Sequence, residues 1–375
     1  MIIKNKKLNN NIIYPINESF NVDEIIFFDI ETTGLSPKTS YLYLIGLTYY
    51  HNNSWYLTQW LLKNPNQEIK LLNLFTNKIE SYKRIIHYNG DSFDIPYLTY
   101  KYKLYNLETP FSNIDSFDLY KKVNPYRKTF PFPNLKLKTL EYYFGFKRKD
   151  KYSGGELIGI YSQFVGRYQY EKLANNKSIA NYKTKTETSK VSAKNLAEIL
   201  LLHNYEDLIG LLEVSGILTY IDLFEHGIEE YDILDSKNKV TDKSFLIDIQ
   251  TKYNFPFEIQ LSVSSDYNIE SIIKLKENHI IAEVPLINKR LKYYFKNFKE
   301  YYYLPKEDMA IHKNVAMYVD KEFRVKATPS TSYTYVELVT ILNSTEDLNK
   351  WLNSLISFSI SNNTNNSNKW IIFFF

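Results

Sequence analysis

The stretch Phe27-Phe28-Asp29-Ile30-Glu31-Thr32-Thr33-Gly34 decides how this chain is read. The apolar run Ile25–Asp29 leads into it with the character of a buried strand. Side chains two apart on a strand share a face. Asp29 and Glu31 therefore stand side by side where the strand ends and the chain leaves through a Thr-Thr-Gly turn. Two carboxylates held that close repel each other unless a cation neutralises them. Hard oxygen donors suit Mg²⁺ or Mn²⁺. The alternative is an exposed strand end with two solvated acids, and an apolar run feeding directly into the pair argues against it.

Working outward, Tyr41–Tyr50 and Ser54–Gln59 have strand character, Asn66–Ile79 has helical spacing, and Arg84–His87 is a short buried strand. A helix is expected from Pro96 to about Leu104, where proline suits a first turn. Ile114–Leu119 is one more expected strand. The order β-β-β-α-β-α-β is mixed α/β. Asn175–Lys194 is polar and low in apolar residues, so an exposed insertion is expected there. Leu196–Leu218 is strongly helical in pattern. Beyond about residue 236 strands are expected at Phe245–Ile249, Glu258–Val263, Ile280–Pro285, Leu291–Phe295, Ala316–Val319 and Ser332–Thr340. Ser359–Lys369 reads as a Ser/Asn link to a terminal apolar run, Trp370–Phe375, expected to be a last strand.

Two further clusters bear on the acidic pair. In His87-Tyr88-Asn89-Gly90-Asp91-Ser92-Phe93-Asp94-Ile95-Pro96 a strand ends, turns at Asn-Gly and enters a helix near Asp94. Taken alone, Asp94 is an ordinary helix cap, and Asp91 faces the turn. In His203-Asn204-Tyr205-Glu206-Asp207-Leu208, His203 and Asp207 are four apart and share a helix face. Alone they are an ordinary surface pair. Together, the three clusters describe one device: four acids for two ions about 3.5–4 Å apart, and a histidine that titrates near neutral pH as a general base should. Ser153-Gly154-Gly155-Glu156 lacks the lysine and spacing of a phosphate loop.

Composition narrows the field. In 375 residues there is no cysteine, which excludes disulfides, zinc-thiolate sites, iron–sulfur clusters and a cysteine nucleophile. Hydrophobic residues make up 44%, enough for a packed core. Met1 to Asn11 is polar and basic, so no signal peptide is read, no apolar run reaches membrane-helix length, and a cytoplasmic location is expected. The net charge is only +4, yet Lys121 to Lys151 holds ten Lys/Arg against two acids. Tyr126, Phe130, Phe132, Tyr142, Tyr143, Phe144 and Phe146 interleave them. That mixture suits a single-stranded nucleic acid groove or, as plainly, a solvated face over core aromatics.

At these residues the sequence resembles the DEDD exonuclease superfamily. Phe28 to Gly34 is similar to its first motif, Tyr88 to Leu98 to the second as found in polymerase proofreading domains, and Asn204-x-x-Asp207 to the third. Ser36-Pro37-Lys38-Thr39-Ser40-Tyr41-Leu42-Tyr43-Leu44-Ile45-Gly46, Tyr152-Ser153-Gly154-Gly155-Glu156 and Leu202-His203-Asn204-Tyr205-Glu206-Asp207-Leu208 resemble the YprB-like ribonuclease-H-like family, which includes exonucleases of the mitomycin repair factor B type. The resemblance covers about residues 22–215. It implies a mixed five-stranded sheet with its second strand antiparallel, Asp29, Glu31, Asp94 and Asp207 as ligands of two Mg²⁺ or Mn²⁺ ions, and His203 as general base. The expected substrate contacts are Thr32, Thr33, Gly34, Leu35, Asn89, Phe93, Lys136 and Lys138. The histidine subfamily usually places its base five residues before the last aspartate, whereas here the spacing is four, the habit of the tyrosine subfamily.

The expected organisation is an N-terminal extension over 1–21, a ribonuclease-H-like exonuclease domain over 22–226 with the insertion at 175–194, and a smaller β-rich C-terminal domain over 236–375 of unassigned role. The expected activity is 3′→5′ hydrolysis of nucleic acid, DNA ahead of RNA, in repair and beside a helicase as the family resemblance implies, with no membrane. The alternatives are an RNA-processing exoribonuclease and a non-catalytic scaffold that binds nucleic acid on the same fold.

Overall fold

The acidic strand lies inside a six-stranded mixed sheet. The computed structural model describes residues 1–9, 21–174, 191–228, 233–265 and 268–365. The strands are β1 (Ile2–Lys7), β2 (Ile25–Thr32), β3 (Leu42–His51), β4 (Ser54–Leu61), β5 (Arg84–His87) and β6 (Asp115–Asp118), in spatial order β1-β4-β3-β2-β5-β6. β2 runs antiparallel to β3 and parallel to β5, which runs parallel to β6. β2 and β3 are buried on both faces along most of their length, which explains their near-continuous apolar runs. The sixth strand comes from the segment expected to be an extension: Ile2↔Leu61 through Lys7↔Tyr56 pair it with β4. Its four exposed polar residues, Lys4 to Lys7, suit a sheet edge, where lysine discourages further pairing.

Helices α1 (Glu68–Ile79) and α2 (Asp94–Leu104) cover one face. Ile26, Phe28 and Ile30 of β2 point to that side and pack with Leu71, Leu72, Phe75, Tyr97 and Leu98. The short α3 (Leu119–Val123) and α4 (Leu137–Tyr143) follow, then the long α5 (Gly154–Ala174) and α6 (Ala193–Val214). α5 and α6 enclose a second core with Tyr43, Leu44 and Leu61 of the sheet. Asp29 and Glu31, out of phase with Ile26, Phe28 and Ile30, face this second side.

The chain divides into two compact units, residues 1–122 with 136–215, and 123–135 with 216–375. The second holds α7 (Leu218–His226), a three-stranded sheet of β7 (Ile233–Val240), β8 (Ser244–Ser265) and β9 (Asn268–Pro285), then β10 (Arg290–Tyr294), β11 (Tyr301–Leu304), β12 (Met309–His312), α8 (Lys313–Ala316), β13 (Val325–Lys326), β14 (Tyr333–Glu337), α9 (Leu338–Asn343) and α10 (Thr345–Asn365). It is β-rich, with antiparallel pairing throughout its described sheets.

Several local expectations are corrected. Phe245–Ile249 and Glu258–Val263 are parts of one long strand, β8. Ala316–Val319 is no strand: the chain turns helical at Lys313 behind a His312 cap and closes with two further turns. Ser332–Thr340 stops being a strand at Glu337, where α9 begins. Ser359 to Asn365 continue α10 rather than forming a link, anchored by buried Trp351, Leu352, Leu355 and Ile356 upstream. α2 begins at Asp94, two residues before the proline. Most of the expected insertion at 175–194, and the terminal run Trp370–Phe375, lie outside the described residues.

Candidate active site

Asp29 and Glu31 leave the sheet at the end of β2, where the pairing with β3 shifts register between Glu31 and Thr32. Such an irregularity bends a strand and re-aims its side chains. The turn that follows is held by its own polar groups. Thr32 Oγ1 and Ser40 Oγ donate to Gly34 O at 2.9 and 3.0 Å, and Tyr41 N donates to Thr33 Oγ1 at 2.8 Å. Leu35 stands 84% exposed at its tip.

Asp94 reaches the same place from β5. The turn after His87 passes through Asn89 with φ of +60°, and Gly90 N donates to His87 Nδ1 at 3.0 Å. Asp118 anchors it by accepting from Asn89 N at 2.8 Å and Asp91 N at 3.3 Å. The buried Asp94 carboxyl then accepts from the backbone N–H of Ile30 on the neighbouring strand. Asp94 is the first residue of α2 rather than its cap, and this aspartate is tied to the acidic strand.

The third contribution comes from α6, which packs on β2, β3 and β4. His203 Nε2 lies 3.2 Å from Asp207 Oδ2 and 3.8 Å from Glu31 Oε1. Between them on the helix, Asn204 is fully buried and donates through Nδ2 to Asp29 Oδ2 at 2.8 Å. Its orientation is fixed by Gln59 Nε2, which donates to Asn204 Oδ1 and to Leu201 O, both at 2.8 Å. Glu31, His203 and Asp207 thus come together, and Asp29 and Asp94 lie near enough for their charges to be felt by that group.

Their electrostatics are those of a crowded anionic cluster. Burial, then Asp207, Glu31 and Asp94, push the Asp29 carboxyl well above its ordinary range. Burial, Asp207, Asp94 and Asp150 do the same to Glu31, opposed by Lys138. Burial pushes Asp94 up to about 7, with Asp118 and Asp207 adding to it. A buried set of this kind is stable in its charged form only with a cation beside it. Glu31, His203 and Asp207 offer ligand atoms all within 4.8 Å of one another. These donors fit a divalent ion.

Several residues of the site escaped sequence reasoning. Arg148 donates to Glu141 at 2.5 and 2.6 Å and also to Asp207, while its Nη1 is buried with no hydrogen-bond partner in the structure. Asp150 Oδ2 lies 2.6 Å from His203 Nδ1. Glu206 accepts from Lys149 N and Asp150 N at 2.9 Å, strapping this segment onto α6. Arg148 and Asp150 sit in the basic run, where sequence shows only their charge; Gln59 carries a signal as a polar residue between Leu57 and Trp60, and Asn204 is the first residue of Asn204-x-x-Asp207, whose partner Asp29 the sequence does not show.

The expected substrate contacts are placed unevenly. Lys136 and Lys138 are exposed, and Lys138 Nζ stands 3.5 Å from Asp150 Oδ2. Phe93 is half-buried against the Tyr97 ring. Of the aromatic residues that interleave the basic run, Phe130 and Phe132 are buried and pack with Tyr220, Phe224 and Phe257, while Tyr126, Tyr143, Phe144 and Phe146 are half-buried. Tyr142 is 69% exposed. A second acidic group, His87, Asp91 and Asp118, also has metal-ligand spacing. Its atoms are taken up by Ser116, Lys121 and the backbone amides of the Asn89–Asp91 turn, so it braces that turn.

Comparison with known proteins gives the chain a superfamily. No curated relative matches the sequence. Among solved structures, a family B DNA polymerase from the hyperthermophilic archaeon Pyrobaculum calidifontis is similar at 13% identity and a TM-score of 0.34, over 62% of this chain and 35% of the polymerase. The chain thus spans about a third of that polymerase's length. A nuclease in its apo form is similar at 16% identity and a TM-score of 0.22, over 57% of this chain and 90% of the nuclease. Both likenesses are distant, and the family match carries the classification. Residues 26–219, which take in every carboxylate of the cluster, match the RNase_H_2 model of the RNase_H superfamily. With its mixed sheet and flanking helices, the chain belongs to the RNase_H superfamily.

Proposed function

We propose that the chain is a metal-dependent 3′→5′ exonuclease of the YprB-like, mitomycin repair factor B type, acting on DNA ends. One observation carries the reading: Glu31 of the strand meets His203 and Asp207 of a distant helix at metal-ligand spacing, and Asp29, Glu31 and Asp94 are each harder to ionise, first through burial and then through neighbouring carboxylates, Asp207 among them. A protein that only bound nucleic acid would gain nothing from burying anions where phosphate must come.

In this reading Asp29, Glu31, Asp94 and Asp207 hold two Mg²⁺ or Mn²⁺ ions. Bound there, the ions offset the carboxylate charge, stabilise charge developing on the phosphate and make water a better nucleophile. His203 Nε2 is close enough to Glu31 and Asp207 to be a ligand itself, but hard cations prefer the oxygens. It is free instead to accept the proton of the attacking water. The water oxygen bonds to phosphorus, the bond from phosphorus to the 3′ oxygen breaks, and that oxygen leaves and takes a proton from solvent to become the new 3′ hydroxyl. Exposed Lys136 and Lys138 offer cations to the phosphate backbone. Exposed Leu35, at the tip of the turn that follows Thr32-Thr33-Gly34, offers an apolar surface to the terminal base, and Phe93 and Asn89 are the further contacts of this reading.

End-labelled DNA and RNA, incubated with Mg²⁺, Mn²⁺ or EDTA, test the reading. The expected result is label released one nucleotide at a time from the 3′ end, faster on DNA, and abolished by EDTA. For Asp29→Ala the expectation is a folded protein with cleavage down about 1,000-fold, the scale of several kcal/mol of lost charge stabilisation. Near-normal cleavage by that variant would remove the metal assignment. Faster loss of label from RNA would move the substrate to RNA while leaving the chemistry in place.

A further inference from the structure

We propose that Asp150 is the positioning residue of His203: it holds the ring with Nδ1 protonated and turns Nε2 toward Glu31 and Asp207. This rests on the reading of His203 as the group that takes the water's proton. The geometry is that of a carboxylate behind an imidazole. Asp150 Oδ2 lies 2.6 Å from His203 Nδ1, on the side of the ring opposite the carboxylate cluster. The Asp150 side chain is 1% exposed and the His203 side chain 7% exposed, so water does not compete for the contact. In a neutral imidazole one nitrogen donates and the other accepts, and the partner of the first sets the role of the second. An ionised carboxylate at Nδ1 therefore leaves the Nε2 lone pair facing the site.

The surroundings keep Asp150 in place and charged. Its Oδ1 accepts from Tyr152 N at 3.1 Å, and Lys138 Nζ lies 3.5 Å from Oδ2. Its own backbone N–H donates to Glu206 Oε2 at 2.9 Å, and Glu206 belongs to the same helix as His203, three residues on. The carboxylate and the imidazole it orients are thus fixed to one rigid element. Burial pushes the Asp150 carboxyl up, yet the Tyr152 amide, His203 and Lys138 together hold it below its ordinary range. The atypical four-residue spacing of His203 from Asp207 gains a rationale: the ring is aimed from behind by a residue outside the helix as well as by its place on it.

Two measurements test this on the full-length protein. The first is the ring ¹⁵N chemical shifts of His203 in the metal-free protein, assigned by comparison with His203→Gln. The second is steady-state cleavage of an end-labelled oligonucleotide, with Mn²⁺ affinity measured by calorimetry. In the starting protein the shifts should report an Nδ1–H tautomer. Asp150→Asn should lose that signature and lower kcat about 100-fold, the scale of general-base catalysis, while KM and Mn²⁺ affinity stay within about two-fold of the starting values, below a tenth of that effect. Asp150→Glu, which keeps the carboxylate, should recover part of both, and it replaces the Asn variant should that fail to fold. In a His203→Gln background Asp150→Asn should cost almost nothing further. An unchanged tautomer, or an equal loss with and without His203, would overturn the inference. Should the starting protein cleave nothing, the exonuclease reading falls, and the ring shifts still decide what Asp150 does.

Discussion

Gly46 faces Asp29 across the β2–β3 ladder, and a methyl group there would lie 2.1 Å from Asn204 Oδ1 and 2.5 Å from Leu208 Cδ1. Both are on α6, so the absence of a side chain at Gly46 lets that helix approach the sheet closely enough for Asn204 to hold Asp29. Gly46→Ala should destabilise the fold by about 2 kcal/mol, as overpacking does, and lower cleavage by moving α6 outward; urea unfolding and the end-labelled assay read both. Asn204→Ala removes the amide that Asp29 and Gln59 share. It should cost about 1–3 kcal/mol through the unpaired buried groups left behind, with calorimetric Mn²⁺ affinity falling as Asp29 loses its orientation. Sequence reading reached Asp29, Glu31, Asp94, His203 and Asp207 because each lies at a spacing with its own local geometry. It passed over Gln59, Arg148 and Asp150, whose parts depend on contacts made across the fold. No local period encodes a hydrogen bond between Asp150 and His203.

Among the elements, α5 shows where pattern failed and chemistry was available. Sequence reading weighs Ser153-Gly154-Gly155-Glu156 only as a phosphate loop and expects no helix after it, yet Glu156 Oε2 accepts from Ser153 N and Ser153 Oγ, both at 2.7 Å, and Leu157 N donates to Ser153 O. Serine followed three residues later by glutamate is a helix-start signal, and here it outweighs two glycines. Ser153→Ala should cost about 1 kcal/mol of stability and leave cleavage by the folded protein unchanged, since Ser153 touches none of the four carboxylates; chemical denaturation and the nuclease assay separate the two effects. The strands and helices of the first unit were legible because their runs are buried on known faces: β5 falls on Arg84–His87 as read, and α1 ends at Ile79. β1 was not, because an edge strand of Lys and Asn looks like a tail until β4 is beside it. The misread at Ala316–Val319 has a similar cause. Four residues carry no usable period, and it is the His312 cap that makes Lys313–Ala316 a helical turn.

For the whole molecule, the cluster has a cost that pH and metal must govern in opposite ways. Asp94 binds its proton up to about pH 7 when folded, against an ordinary aspartate value of 3.8. Between those values the native state holds more protons than the unfolded chain, so stability falls as pH rises through that window. Asp29 and Glu31 are shifted the same way and steepen the fall. Carboxyls held below their ordinary range, among them Asp91, Asp150 and Asp308, act in the other direction. Their contribution is lost only as pH drops below about 4, the ordinary carboxylate range; His87, which burial holds below its ordinary value, opposes the fall within the window, as one group against Asp29, Glu31 and Asp94. The metal-free protein should therefore melt at a temperature that declines from about pH 5 to about pH 7.5, a window set by the Asp94 shift. Asp94→Asn should flatten part of that decline, because an amide cannot lose a proton and still occupies the same space. Saturating Mn²⁺ should reverse the slope, since an ion that binds the ionised cluster stabilises the folded state more as the carboxyls deprotonate. Scanning calorimetry across this range, with EDTA and with Mn²⁺, checks all three curves. A metal-free melting temperature that rises steadily to pH 7.5, or one that Mn²⁺ leaves unmoved, would mean that the four acids do not act as a single buried site.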